Sequence, residues 1–461
     1  MEQFDKVSIS EEELKKEKTK RLSIVEGSAY SVMDGGGLRN ITPYALALGA
    51  NNAQIGFLTS IPNLLGNLFQ LFTTKAMEKY SRRKILLFGV ILQALMWIPM
   101  ILVGFFYFFR GLDSATSANF IILIYTLLIL FGGFVSPAWN SLMRDIVTKD
   151  NGHYFGRRNK IVGTVALISL LIGGFVLDYF KQTKVFIGFA IIFGVCFIAR
   201  AISAYLLSRH YEPEFKLEKG YYFSLRQFVK NMPHSNFGKF VLFVGLIQMA
   251  TAIASPFFAV YMLKNLHFSY TTYILVVISS SLSSLLFMPI WGKFADKYGN
   301  LRIIQICGFF VAFVPLVWFL SPMVAKFNPS FLIYYLLFME FLSGLVWAGF
   351  NLTTVNFIYD AVTRQRVALC IAYFNFLVGI GVFVGATLGG FIASIDIVFG
   401  MNSILFVFLL SFIARMGVYL AMISKLKEVR EVEKFDKKGF RKEFREELMY
   451  LSYKWMRPRV S

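Results

Sequence analysis

Long apolar runs separated by short charged turns recur along most of this chain. Each run reaches about 18 residues or more, the length a helix needs to cross a hydrocarbon core of roughly 30 Å. The pattern predicts helices 1 to 6 over about 22–49, 53–77, 85–109, 119–146, 161–180 and 185–207. Helices 7 to 12 follow over about 240–263, 271–291, 303–320, 330–357, 367–394 and 399–423. The polar remainder is a tail (1–21), a basic linker (208–239) between six-helix bundles at 22–207 and 240–423, and a basic amphipathic tail (424–461). Residues 8–21 carry a Ser cap and acid-to-base spacing that predict a short solvated helix. In the last tail Phe440, Phe444, Leu448 and Leu451 recur at helical spacing among Lys and Arg, which predicts a helix lying on a membrane surface.

The pattern also restarts. Phe-Ile-Ala-Arg at Phe197–Arg200 returns verbatim at Phe412–Arg415, offset by 215. Asp145-Ile-Val-Thr148 returns as Asp360-Ala-Val-Thr363 at the same offset, and Gly173-Gly174-Phe175 returns as Gly389-Gly390-Phe391 at 216. Thr42-Pro43-Tyr44 answers to Ser255-Pro256-Phe257 at 213. Four echoes in one order, at nearly one offset, indicate a duplicated unit of six helices.

Composition agrees: 56% of the 461 residues are hydrophobic, Phe occurs 51 times, and mean hydropathy is +0.60. A soluble core has no use for a dozen such runs. The net charge of +20 would also suit a nucleic-acid binder, but its placement excludes that. With the amino terminus assumed cytoplasmic, 39 Lys and Arg fall on the cytoplasmic side and 5 on the other; Arg39, Arg200 and Arg415 lie within spans. That bias is the positive-inside rule with both termini cytoplasmic, and it implies contact with anionic lipid at that face. Cys196, Cys307 and Cys370 all lie in apolar runs, so no disulfide framework or zinc spacing exists. The first twenty residues lack the apolar core of a cleaved signal peptide. No nucleotide-binding loop or metalloprotease motif occurs, so no catalysis, cofactor or metal is expected.

One charged turn, Gly292-Lys-Phe-Ala-Asp296-Lys297-Tyr298-Gly299-Asn300-Leu301-Arg302, is echoed 218 positions earlier by Thr74-Lys-Ala-Met-Glu78-Lys79-Tyr80-Ser81-Arg82-Arg83-Lys84. Six plus six helices in parallel repeat, joined by a basic linker, resemble the major facilitator superfamily. The second turn is similar to that family's best-known motif, keeping Gly292, Asp296, Lys297, Gly299 and Arg302. The first departs from it, with Thr74, Glu78 and Ser81 where the motif has Gly, Asp and Gly. The resemblance covers residues 22–423 and implies an all-α polytopic fold of 12 transmembrane helices in two pseudo-symmetric halves. It also implies that these turns act as gate elements. The intact copy therefore predicts a larger effect from Asp296→Asn than from Glu78→Gln, and Gly292 is expected to admit a close helix approach. Arg82, Arg83 and Lys84 read as topology signals.

Charges inside spans cost at least about 2.5–3.5 kcal/mol at mid-membrane, so they are functional candidates. Asp34 lies about 20 Å into helix 1, and Glu340 lies near the middle of helix 10. The resemblance puts helices 1, 4, 7 and 10 around a central cavity, so each half supplies one carboxylate able to exchange a proton. The competing reading pairs them structurally with Arg39, Arg200 or Arg415. Asn140, Gln248, Thr251, Asn351 and Asn356 complete the candidate site, although such groups often only bond neighbouring helices. Glu26 reads as interfacially solvated and Arg39 as snorkelling. Arg200 and Arg415 are expected to fix their helix ends to Asp145 and Asp360. Gly35–Gly37 weaken helix 1 beside Asp34, and Gly379, Gly381, Gly385 and Gly389 form a packing stripe.

The sequence thus predicts a monomeric cell-membrane transporter of a small organic solute, working by alternating access and coupled to protons. The alternatives are an uncoupled facilitator, a drug-type exporter, or a non-transporting receptor or lipid-handling relative. Helix 5 lacks the Gly-Pro pair, and helix 4 the intramembrane Arg, that mark many antiporters of the resembled family.

Overall fold

The structure is a computed structural model that describes residues 11–148, 151–181, 184–213, 224–363, 366–433 and 435–456. Parts of the predicted tails and linker, at 1–10, 214–223, 434 and 457–461, lie outside the described residues. Among those described, eleven helices are long and apolar enough to cross a membrane, from Asn52–Lys79 to Ser403–Lys425. Helix 1 is the twelfth span. It is too polar to stand out by hydropathy, and it differs most from expectation. One helix runs unbroken over Glu11–Val32, so the segment read as a short separate helix is its first turns. It then widens into a π-helical turn at Met33–Gly37, tightens at Leu38–Asn40 and resumes over Ile41–Ala47. The triple glycine allows this change of winding. At Gly35 the backbone of helix 5 at Ala166 leaves no room for a Cβ.

Local chemistry sets the helix ends. Asn51 and Gln54 form a reciprocal capping box at the start of helix 2, Asn52–Lys79. Ser81 caps helix 3, which runs over Arg82–Leu95 and Trp97–Arg110. Asp113 caps helix 4, Ser114–Ile146, and Asn328 with Pro329 opens helix 10, Pro329–Ala361. Gly299, at φ +90°, turns the chain between helix 8, Tyr270–Tyr298, and helix 9, Asn300–Phe327.

The chain packs as two compact units. The first holds residues 1–220, 248–275 and 374–407; the second holds 221–247, 276–373 and 408–461. In the first, the stripe on helix 11 packs as expected: Gly385 meets the Met249 carbonyl and Gly389 the Ile253 carbonyl of helix 7. This unit is pinned at the end of the spans opposite the charged turns. There Asn52 Nδ2 donates to Ala393 O at 2.5 Å and Lys264 Nζ to Ala50 O at 3.0 Å. The two Asp178 carboxylate oxygens accept from the Tyr270 and Thr271 amides at 2.8 and 2.7 Å, capping helix 8. In the second unit, Gly344 of helix 10 lies against the Ser280 carbonyl of helix 8, and Phe240 stacks on Phe357 with ring centroids 4.2 Å apart.

Candidate functional site

Glu26, Tyr30 and Asp34 recur at four-residue intervals and so line one face of helix 1. Glu26 is 4% exposed, which corrects the interfacial reading. Because the helix starts at Glu11, Glu26 lies fifteen residues in, roughly 22 Å along the axis. Its Oε1 accepts from Ser203 Oγ at 2.8 Å and lies 3.8 Å from Arg200 Nη1. Its Oε2 lies 3.8 Å from Arg158 Nη2. Arg200 donates to Gln93 Oε1 through Nε and Nη2, at 3.1 and 2.5 Å, and to Ser203 Oγ at 2.9 Å. It also lies 4.9 Å above the Tyr30 ring. Arg158 sits 4.5 Å above the Trp139 ring and donates to Ser23. One buried carboxylate thus faces two guanidinium groups, each with further acceptors, the condition under which buried charges are tolerated.

Asp34 sits in the widened turn. Its side chain is 33% exposed, and Oδ2 lies 4.0 Å from Arg39 Nε. Arg39 therefore faces a carboxylate, the partner that the competing, structural reading of Asp34 gave it. A π-helical turn beside an open carboxylate is a frequent mark of function. Among the other first-unit candidates, Asn140 is exposed while Gln248 and Thr251 are half-buried.

The second unit holds Glu340, Asn351 and Asn356. Glu340 is half-buried, and its Oε1 accepts from Trp318 Nε1 on helix 9 at 2.9 Å. Arg415 donates to Val311 O at 3.0 Å and is hydrogen-bonded to Ser411 Oγ at 3.1 Å. Asn351 is exposed and Asn356 half-buried.

The charged turns correct several expectations. Arg82 is a structural hub, 1% exposed, and not a topology signal. Its Nη1 donates to Asp145 Oδ2 at 2.5 Å and Ser141 Oγ at 3.2 Å, Nη2 donates to Pro213 O at 3.1 Å, and its amide donates to Glu212 Oε1 at 2.7 Å. Asp145 is thus held by Arg82, not Arg200. Asp360 is held by Asn300 Nδ2 at 2.6 Å and Arg430 Nε at 3.1 Å, not by Arg415. The two arginines lie too deep in helices 6 and 12 and find acceptors on neighbouring spans instead. Glu78 and Lys79 are exposed, and Arg83 donates to His210 O at 3.5 Å.

In the second turn a Cβ at Gly292 would meet only Leu352, at an ordinary 3.8 Å, so no close helix approach depends on that glycine. Asp296 is 80% exposed, with Arg430 Nη1 3.9 Å away. Lys297 Nζ pairs with Glu443 Oε1 at 2.6 Å, and Arg302 lies 4.4 Å over the Phe435 ring. Two aromatics of the tail helix, Lys437–Met456, pack on helix 8: Phe440 and Phe444 lie 4.7 and 6.0 Å from Phe294, ring to ring. An amphipathic pattern cannot say which apolar surface it meets, so the sequence did not separate helix 8 from lipid.

The model of the Major Facilitator Superfamily matches residues 27–248 and again 240–456. The multi-drug resistance efflux pump PmrA homolog of Lactococcus lactis subsp. lactis (strain IL1403) is 22% identical over 381 residues, 80% of this chain and 85% of that protein. The multidrug resistance protein MdtG of Proteus mirabilis (strain HI4320) is 25% identical over 258 residues, 55% of this chain, and the match spans 60% of MdtG's length. Among solved structures, the nucleoside transporter NupG aligns over 90% of this chain and all of its own, with a TM-score of 0.66 at 15% identity. A bacterial homologue of the iron transporter ferroportin aligns over 89% and 98%, with the same TM-score at 11% identity. At those identities the structures establish the fold alone. The chain is a multi-pass membrane transporter of small molecules, not an enzyme, and it belongs to the Major Facilitator Superfamily.

Proposed function

We propose that this transporter exports small lipophilic organic solutes, cations included, from the cytoplasm in exchange for protons. The observation that carries this reading is Asp34: a carboxylate one-third exposed, in a π-helical turn, 4.0 Å from Arg39. The carboxylate can hold a proton, a cationic solute or its arginine, and the occupants compete. Competition at one group is sufficient for exchange: a proton arriving on Asp34 displaces the solute, and loss of that proton restores the site. The buried Glu26–Arg200–Arg158 cluster, two turns away on the same face, holds the helix 1 segment that carries Asp34 against helices 5 and 6. Glu340, oriented by Trp318, is a second candidate carboxylate, and Asn140, Gln248, Thr251, Asn351 and Asn356 are candidates for orienting the solute. The efflux functions named for the relatives support export. The distribution of Lys and Arg supports cytoplasmic termini in the cell membrane. The test is uptake of a fluorescent lipophilic cation into proteoliposomes with and without an imposed pH gradient. Acceleration by the gradient supports the reading, and indifference to it contradicts the coupling.

A further inference from the structure

The tail helix has two faces, and the fold uses only one. Phe440, Glu443, Phe444 and Glu447 turn inward, at helical spacing, onto helix 8. Glu443 takes Lys297 at 2.6 Å and Glu447 takes Lys293 at 2.7 Å, while Phe444 reaches Trp291 at 5.7 Å between ring centroids. The helix therefore runs antiparallel along the end of helix 8, from the level of Tyr298 to that of Trp291. Seven residues of helix rise about 10 Å. Helix 8 spans 29 residues, about 44 Å, against a hydrocarbon thickness of about 30 Å, so Trp291 falls near the hydrocarbon edge. The later part of the tail helix is thus level with the lipid headgroups. Its outward face carries Lys437, Lys438, Arg441, Lys442 and Arg445 against one acid, Glu446, all exposed, and Leu448 and Met449 are exposed beyond them at 38% and 54%.

We infer that the exposed face of the tail helix binds an anionic bilayer surface, and that through Glu443 and Glu447 this contact ties the second gating turn to the membrane. Five exposed cations beside an apolar tip match negatively charged headgroups over an acyl boundary. The connection to the gate is direct. Upstream of the same helix, Glu428 Oε2 accepts from the Leu301 amide at 2.7 Å and Arg430 Nη2 donates to Ala295 O at 2.8 Å. The helix that carries the outward cations is the one that holds Lys297 and Lys293 through Glu443 and Glu447.

The test uses the full chain in nanodiscs, neutral phosphatidylcholine against phosphatidylcholine with phosphatidylglycerol, read by hydrogen exchange of 437–449. Exchange is expected to be several-fold slower in the anionic discs, with the difference removed by high salt. A variant with K437Q, K438Q, R441Q, K442Q and R445Q should show no difference between discs while keeping protection of 293–302, which rules out a misfolded tail. Equal exchange of the wild type in both discs would overturn the inference. So would slowing by a soluble acidic polypeptide but not by anionic lipid, because the partner would then be a protein. Neither readout depends on transport, so failure here is separable from failure of the proton-exchange reading.

Discussion

Arg82 Nη1 sits 2.5 Å from Asp145 Oδ2, and the duplicated half repeats the contact as Asn300 Nδ2 to Asp360 Oδ2 at 2.6 Å. The positions correspond: Asn300 follows Arg82 by the 218-residue offset of the turns, and Asp360 follows Asp145 by 215. The second half has no guanidinium at this position, and Arg430 of the tail supplies one, 3.1 Å from Asp360. Glu212 and Glu428, each just past the last helix of its half, accept the amides of Arg82 and Leu301. Each turn is thus locked by the segment that leaves its own bundle.

Removing the first lock is expected to destabilise the protein. Arg82→Met leaves Asp145 and Glu212 without their cation, a loss of about 2–4 kcal/mol once the partial exposure of Asp145 is discounted. Arg82→Lys should recover only part of it, since a single ammonium nitrogen lacks the guanidinium's reach to Asp145 and Ser141 through one nitrogen and Pro213 through another. Thermal unfolding in detergent measures both, and Asn300→Ala should cost less because Arg430 remains.

Acid should weaken the same region. His210 is 1% exposed, and among the described residues neither ring nitrogen has a hydrogen-bond partner. Burial, reinforced by the positive charge of Arg158, pushes its pKa down from 6.5 to about 4. A group that binds its proton more weakly when folded favours unfolding as pH drops below the unfolded value. Stability is expected to fall by up to about 3 kcal/mol between pH 6.5 and 4. His210→Leu should flatten that part of the melting temperature against pH profile.

Asp178 caps helix 8 at the end of the spans opposite the turns, through two backbone amides. Asp178→Ala removes a cap worth roughly 0.5–2 kcal/mol. Spin-label distances between the ends of helices 5 and 8 are expected to show a larger separated population in the variant. An unchanged distribution would mean that the cap does not hold this end closed.

The span count, the repeat and the helix 11 stripe were legible because each is a local pattern in one dimension. Asp34 stood out for the same reason, as a charge in an apolar run. Glu26 did not, because it lies near the polar end of its span and is buried by Ser203, Arg200 and Arg158, which are distant in sequence. Asp145 for Arg82 and Gln93 for Arg200 were illegible because they lie 63 and 107 residues away and are chosen by packing. In the tail, spacing marked an apolar face but could not say that Phe440 and Phe444 of it meet helix 8.

Exchange, as proposed, turns on the Asp34 carboxylate. Proteoliposomes holding wild type or Asp34→Asn should be compared for uptake of a fluorescent lipophilic cation under an imposed pH gradient, with matched thermal stability. Gradient-driven accumulation is expected in the wild type and its loss in Asp34→Asn, with Glu340→Gln retaining at least part of it. Accumulation that survives Asp34→Asn at the wild-type rate would contradict the account.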